Sequence, residues 1–307
     1  MNKKSPILVT GAHRSGTTWV GRMLAANSQT AYISEPLNIL HRPGVNRVKV
    51  DNWYQYITSE NESQYLESFL ELINFEYHLL LEVNSLRSRR DLMRMGRDFY
   101  IFANGRLYRK RALLKDPFAL FSIPWFAEKL NCQVVVTVRH PGGFAGSLKR
   151  LNWSFDFQNL LRQSDLMRDH LEADRAEMEA VPPDDIIGQS ALLWRMIYRF
   201  VHSTIHQFPD FRIVRHEDLS LDPVTGYQAL YKSLDMKFDE TVQNTILNSS
   251  SSENPSKLAT NKTYSVKLDS RAALDNWKKI LTPEEATRVR KLTEGVSELF
   301  YSDAEWK

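Results

Sequence analysis

The sequence has almost no cysteine. Cys132 stands alone in 307 residues, which excludes an intrachain disulfide and the small cross-linked secreted folds. It precedes the apolar run Val134–Val138 and reads as a small buried hydrophobe. No stretch reaches about 18 uncharged apolar residues, so no membrane-spanning helix is expected. The start, Met1–Pro6, leads into Ile7-Leu8-Val9, an apolar run far shorter than a signal-peptide core. The expectation is a soluble, cytoplasmic protein. Nor is there an excess of one charge. Forty basic residues face 37 acidic ones, for a net charge of +3. That balance demands neither a nucleic acid nor a membrane as partner, so any anion site must come from local placement of charge. The eight histidines show no metal-ligand spacing. His202 and His206 read as flanks of a helix, and no metal is expected.

What is present fits one large α/β domain, although length alone also allows two smaller ones. Hydrophobic residues make up 42% of the chain and charged residues 25%, enough for a sizeable core under a charged surface. Candidate strands are Ile7–Thr10, Ala31–Ser34, Ala112–Lys115, Val134–Val138 and Arg212–Arg215. The runs containing Val9 and Val136 lack alternation, which suits buried parallel strands. Helical spacing covers Thr17–Ala26. In Gly188–Phe208 it puts Leu193, Ile197, Phe200, Val201, Ile205 and Phe208 on one stripe. Thr282-Pro283-Glu284-Glu285 is a capping box, and Val289, Leu292, Val296 and Leu299 continue it at helical spacing. Strands alternating with helices predict a three-layer parallel sheet with helices on both faces. Three stretches stand outside the alternation. Leu37–Gly105, rich in aromatics such as Trp53, Tyr54 and Phe69, reads as a mostly helical insert reaching to about residue 110. Trp153–Asp185 reads as polar and helical, with a stop at Pro182-Pro183. Asn248–Lys267, rich in Ser, Asn and Lys, reads as a mobile loop extending to about residue 270.

The sharpest feature is Gly11-Ala12-His13-Arg14-Ser15-Gly16-Thr17-Thr18-Trp19. It follows a predicted strand and opens a predicted helix, the setting in which glycine turns and a helix N-terminus cradle an anion. The spacing mimics a nucleotide-binding P-loop, but Thr17 stands where that loop carries lysine. A triphosphate ligand is therefore disfavoured. Arg14 supplies a cation instead. This segment resembles the 5′-phosphosulfate-binding loop of sulfotransferases that use 3′-phosphoadenosine 5′-phosphosulfate (PAPS). Arginine at the Arg14 position is the form found in carbohydrate-modifying and many bacterial members. The resemblance implies a P-loop nucleoside triphosphate hydrolase-like sulfotransferase fold in one domain. It implies that His13, Arg14, Ser15, Gly16, Thr17 and Thr18 bind the nucleotide. Arg14, with Thr17 and Thr18 as further candidates, would touch the transferring sulfo group.

A nucleotide phosphorylated at both 5′ and 3′ positions needs a second anion pocket. Val138-Arg139-His140-Pro141-Gly142-Gly143 reads as a buried strand ending in arginine, then a Pro-Gly-Gly turn into a helix that carries Ser147. Arg139 offers a planar fork and Ser147 a hydroxyl. An arginine at a strand end with a serine eight residues on is similar to the family's 3′-phosphate signature. Arg215-His216-Glu217-Asp218-Leu219 resembles another family strand end and reads as architectural. Arg271 and the pair Trp277-Lys278 lie where family members close over the 3′-phosphate and adenine. Lys262, Ser265, Lys267 and Arg271 remain alternative contacts there.

The chemistry implied is transfer of a sulfo group from PAPS to an acceptor hydroxyl or amine, leaving 3′-phosphoadenosine 5′-phosphate (PAP). The acceptor is unspecified, with a glycan or glycolipid among the candidates. A hydroxyl needs a general base. Glu35, in Ile33-Ser34-Glu35-Pro36, sits at a strand end that faces the same crevice as the phosphate loop in a doubly wound sheet. His41 and His13 are its alternatives. Lys115, in a Lys-Asp-Pro segment resembling a family motif, is a candidate second cation at the sulfo group. Two other readings compete: a nucleotide kinase or hydrolase with a degenerate P-loop, and a non-catalytic module that binds phosphoadenosine.

Overall fold

The computed structural model describes residues 4–208, 211–257 and 265–307. Five parallel strands form one sheet in the order β2-β3-β1-β4-β5: β1 (Ile7–Gly11), β2 (Thr30–Ser34), β3 (Arg111–Lys115), β4 (Gln133–Val138) and β5 (Phe211–Arg215). The five predicted strands are all present. In the central strands side chains are buried on both faces, as parallel pairing requires. Leu8, Leu114, Val134 and Val136 join one core, while Ile7, Val9, Leu113 and Val135 join another. The first core takes in α5 (Ile123–Leu130), α6 (Pro141–Leu151) and α10 (Ile186–Ile205). The second is covered by α1 (Thr17–Leu24), α12 (Pro223–Ser233) and α13 (Glu240–Ser250). Helices therefore lie on both faces, as the alternation predicts.

The remaining elements refine the sequence reading. Residues 37–61 form turns. Helices follow only later, in α2 (Leu66–Ile73), α3 (Leu79–Ser85) and α4 (Arg89–Leu107). The stretch 153–185 is not one polar helix. It breaks into α7 (Gln158–Leu161), α8 (Ser164–Leu166), a π-helical turn at Met167–Leu171 and α9 (Arg175–Ala180). Its apolar residues Leu160, Leu166, Met167 and Leu171 are each buried, so local burial overrides a continuous helix. After β5 come α11 (His216–Leu221) and, near the end, α14 (Pro283–Thr293). The Thr282–Glu285 capping box is formed. Val296 and Leu299 lie beyond this helix, because the chain turns through Gly295 at φ 77°. No helix among the described residues is long and apolar enough to cross a membrane.

This topology fixes where a site can be. β1 lies between β3 and β4, so the connections on its two sides run in opposite directions. Loops after the strands gather at that switch point, where open α/β sheets bind ligands. The loop after β1, Glu35 after β2, Asp116 after β3, Arg139 after β4 and His216 after β5 all occupy this edge.

Candidate active site

The loop after β1 is held by backbone conformations that few residues tolerate. Gly11 has φ 143° and a Cβ there would collide with Thr137. Gly16 has φ 98°, and a Cβ would stand 2.7 Å from His216 Nδ1. Arg14, not a glycine, also sits at positive φ, 70°. A cation held in a costly conformation is the kind of local strain that collects at functional sites. The loop is clipped from behind by α10. Tyr198 donates to Thr137 O at 2.9 Å and accepts from the Ala12 amide at 3.4 Å. Trp194 donates to Arg139 O at 2.8 Å. The N-cap of α1 is Gly16, which has no side chain to cap it.

Two cavities open on this edge. The first, about 360 Å³, is lined by Arg14, Thr17, Thr18, Arg139, Ser147 and the segment around Trp277. Arg14 Nε donates to Ser147 Oγ at 3.1 Å, and Arg139 donates to Arg14 O at 3.0 Å. The residues of the two predicted anion pockets thus line one cavity. Arg150, Lys257 and Lys279 add cations to the lining, which contains no carboxylate among the described residues. Burial first, then the Arg139 and Arg150 charges, push Arg14 down to about 10. His216 also lines this cavity, and its buried Nδ1 has no hydrogen-bond partner among the described residues. Burial holds it down at about 3, so it stays neutral.

The Pro-Gly-Gly segment is not a turn before the helix but its first turn, with Pro141 at the first helical position. Its glycines make room. A Cβ on Gly142 would stand 2.7 Å from the Trp277 ring, and one on Gly143 would stand 3.0 Å from Arg139 Nε. Trp277 stacks on His140 at 5.1 Å between centroids and completes the wall.

The second cavity, about 720 Å³, shares Arg14, Thr17 and Thr18 with the first. Glu35, Lys115, His13, His41, Trp53 and Trp153 are also in its wall. The Glu35 carboxylate is held at both oxygens. Lys115 is ion-paired to Oε1, and Asn38 donates to Oε2 at 2.7 Å. Glu35 too has positive φ, 53°. Asp116 pins the turn beyond it, accepting from the Leu37 amide at 2.5 Å and from the Phe118 amide at 2.9 Å.

The predicted residues do not all converge. Ser15 is fully buried and bonded to Thr137 at 2.6 Å, outside both linings. His13 lines the second cavity only, with Nδ1 2.7 Å from the Tyr54 hydroxyl. Burial, aided by Arg14, pushes it down to about 3. Arg271 is exposed, bonds Leu221 O and lies outside the first lining. Lys257, Ser265 and Ser270 lie within it. Lys267 is outside the lining as well, and Lys262 falls outside the described residues. Sequence reading missed Arg150, Lys257 and Asn38, and gave Asp116 no role beyond its place in the Lys-Asp-Pro segment. Arg150 was findable, because it follows Ser147 by one helical turn.

Fold and site define an α/β protein with a cation-lined cavity at the switch point of a parallel sheet. Residues 6–240 match the family model described as "Sulfotransferase family", and the chain belongs to that family. No curated protein matches it. Among solved structures it is similar to the sulfotransferase domain of the olefin synthase of Synechococcus PCC 7002. Identity there is 17% and the TM-score 0.49, over 99% of this chain and 97% of that one. It is also similar to mouse sulfotransferase SULT7A1 complexed with PAP, at 12% identity and TM-score 0.48, over 99% and 88%. Sulfotransferase STF9 from Mycobacterium avium shows 14% identity and TM-score 0.48, over 98% and 78%.

Proposed function

We propose that this sulfotransferase takes its sulfo group from PAPS and delivers it to a hydroxyl or amine of an acceptor held in the second cavity. The observation that carries this reading is the junction of the cavities. A chamber walled by cations and hydroxyls, with no carboxylate among the described residues, meets a chamber containing a held carboxylate, and Arg14, Thr17 and Thr18 belong to both. The phosphates belong in the first and the acceptor in the second. His216 Nδ1 is a polar atom still in need of a partner there.

In this reading Glu35 takes the acceptor proton and the acceptor oxygen or nitrogen attacks sulfur in line. The bond from sulfur to the 5′-phosphate oxygen breaks, and PAP leaves with that electron pair. Arg14 and the first amides of α1 stabilise the charge growing on the bridging oxygen. Lys115 anchors the Glu35 carboxylate and adds positive charge near the sulfo group. Arg139 and Ser147 hold the 3′-phosphate. Ser15 and Tyr198 keep the loop in shape. A kinase reading is weaker, because Thr17 replaces the P-loop lysine and, among the described residues, no carboxylate lines the nucleotide chamber to hold magnesium.

Calorimetry tests the donor. PAP should bind far more tightly than ATP, and removal of its 3′-phosphate should weaken binding by roughly 1.5–3 kcal/mol. Equal affinity for ATP would overturn the assignment. Labelled PAPS offered with a panel of glycans, lipids, phenols and peptides tests transfer and finds the acceptor.

A further inference from the structure

Charge is unevenly placed along the chain. From Leu79 to Lys110 there are eight basic residues and three acidic ones, an excess of five in a protein whose net charge is +3. The three acids are already engaged. Glu82 and Asp91 pair with Arg42, and Asp98 with Arg97. Arg89, Arg90, Arg94 and Arg106 make no salt bridge among the described residues. Arg89 and Arg90 open α4, where positive charge opposes the helix dipole. The Ser88 cap and Asp91 offset that cost locally. Two arginines placed against the dipole gain nothing from it, and their charge is free to act outside the helix.

The same helix leaves large apolar side chains in water. Met93, Tyr100 and Leu107 recur every seven residues, so they share one stripe. They are 70%, 67% and 74% exposed. The opposite face carries Asp98, Phe102 and Gly105, which are buried. On neighbouring α3, Leu80 is 80% exposed. An apolar stripe flanked by arginines is the pattern of a helix that lies in a membrane interface.

We propose that the outer face of α3 and α4 docks on an anionic lipid surface. Leu80, Met93, Tyr100 and Leu107 would enter the headgroup region, and Arg89 and Arg90 would meet lipid phosphates. Charge selects this occupant. Two copies of the chain would bring like charge to like charge. A nucleic-acid backbone would satisfy the arginines but leave the apolar stripe in water. Arg94 and Arg97 of α4 line the second cavity, so a docked surface lies beside that cavity's wall. The docking is independent of the transfer reaction proposed above.

The test is co-sedimentation of the full chain with vesicles of phosphatidylcholine alone or mixed with phosphatidylglycerol. Binding is expected only to the mixed vesicles and should weaken with added salt. Replacing both arginines, Arg89→Gln with Arg90→Gln, should weaken partitioning about thirtyfold, the effect of two basic residues beside an anionic surface. Removing them relieves the dipole conflict, so folding and PAP binding should persist. A second variant, Met93→Ser with Tyr100→Ser, changes no charge and should also weaken binding, by about tenfold, through lost apolar insertion. Equal binding to neutral and anionic vesicles would overturn the proposal, as would binding unchanged in both variants. Dimerisation without lipid that Met93→Ser with Tyr100→Ser abolishes would reassign the face to a second copy.

Discussion

The two cavities share Arg14, Thr17 and Thr18 but differ in how their charge is paired. In the first, the wall holds no carboxylate among the described residues, and Arg14 is pushed down in pKa by burial and by Arg139 and Arg150. That positive field costs stability until an anion arrives. In the second, much of the charge is paired within the protein. Lys115 pairs with Glu35, Arg97 with Asp98, and Arg42 with Glu82 and Asp91. In the proposed reaction the first chamber receives the phosphates and the second takes up the acceptor proton.

The largest effect that separates them lies at Glu35. Glu35→Gln keeps the shape and can offer its one amide oxygen to either Asn38 or Lys115, but it cannot take a proton. Under single-turnover conditions at saturating PAPS, transfer should slow by about 10²–10⁴, the usual contribution of a positioned base. PAP affinity should be unchanged. If PAP binding is lost while transfer at saturation stays normal, the division between the chambers fails, and Glu35 supports the loop. His41 is then the next residue to replace.

Arg14 belongs to both chambers, so its loss should register in both. Arg14→Ala should weaken PAP binding and also cut turnover by about 10²–10³, the range for removing one stabilising donor from a transition state. Arg14→Lys restores the charge but not the planar fork, so it should recover part of the turnover and lose the bond to Ser147. Unchanged turnover in Arg14→Ala would make the arginine purely structural.

The first chamber was more legible in the sequence than the second, for a physical reason. A phosphate cradle is local: two glycines, a helix start and a cation lie within eight residues, so Gly11–Thr18 announces itself. Arg139 and Ser147 are equally local, one at the end of β4 and one on α6. The acceptor chamber is assembled from residues far apart in sequence. Glu35 meets Lys115 because β2 and β3 are neighbours, with Ser34 beside Lys115 in register. Asp116 reaches back to Leu37 across 79 positions. Neither contact has a periodic signature. Gly142 and Gly143 were misread as a turn because the residue that needs their space, Trp277, is distant in sequence. Ser15 lies within the loop, yet its hydroxyl turns inward to Thr137, a choice set by the neighbouring strand.

The smallest expected effect is on stability, and its sign differs between the chambers. Asp116 is pushed up to about 7, chiefly by burial and against the Leu37 amide bond. Its folded pKa is raised, so the stability tied to its proton is full below the unfolded value, about 4. It is lost as pH rises through 7. His216, in the first chamber, and His140, against Trp277, are pushed down to about 3 by burial. Their contribution is full above the unfolded value, about 6.5, and is lost as pH falls below it. Between about pH 4 and 6.5 the two regions therefore pull in opposite directions. Asp116→Asn removes one side of that contest. An amide can present only one oxygen, so either Leu37 or Phe118 loses its acceptor, at about 1–3 kcal/mol. The variant also lacks the stabilisation that protonated Asp116 provides in acid. Its melting temperature should therefore fall further below the wild type at pH 5 than at pH 8, by a few degrees. His216→Asn should do the reverse, flattening the loss on the acid side. A deficit for Asp116→Asn that is equal at both pH values would mean that Asp116 ionises freely in the folded protein and that the wall of the second chamber is wetter than its burial indicates.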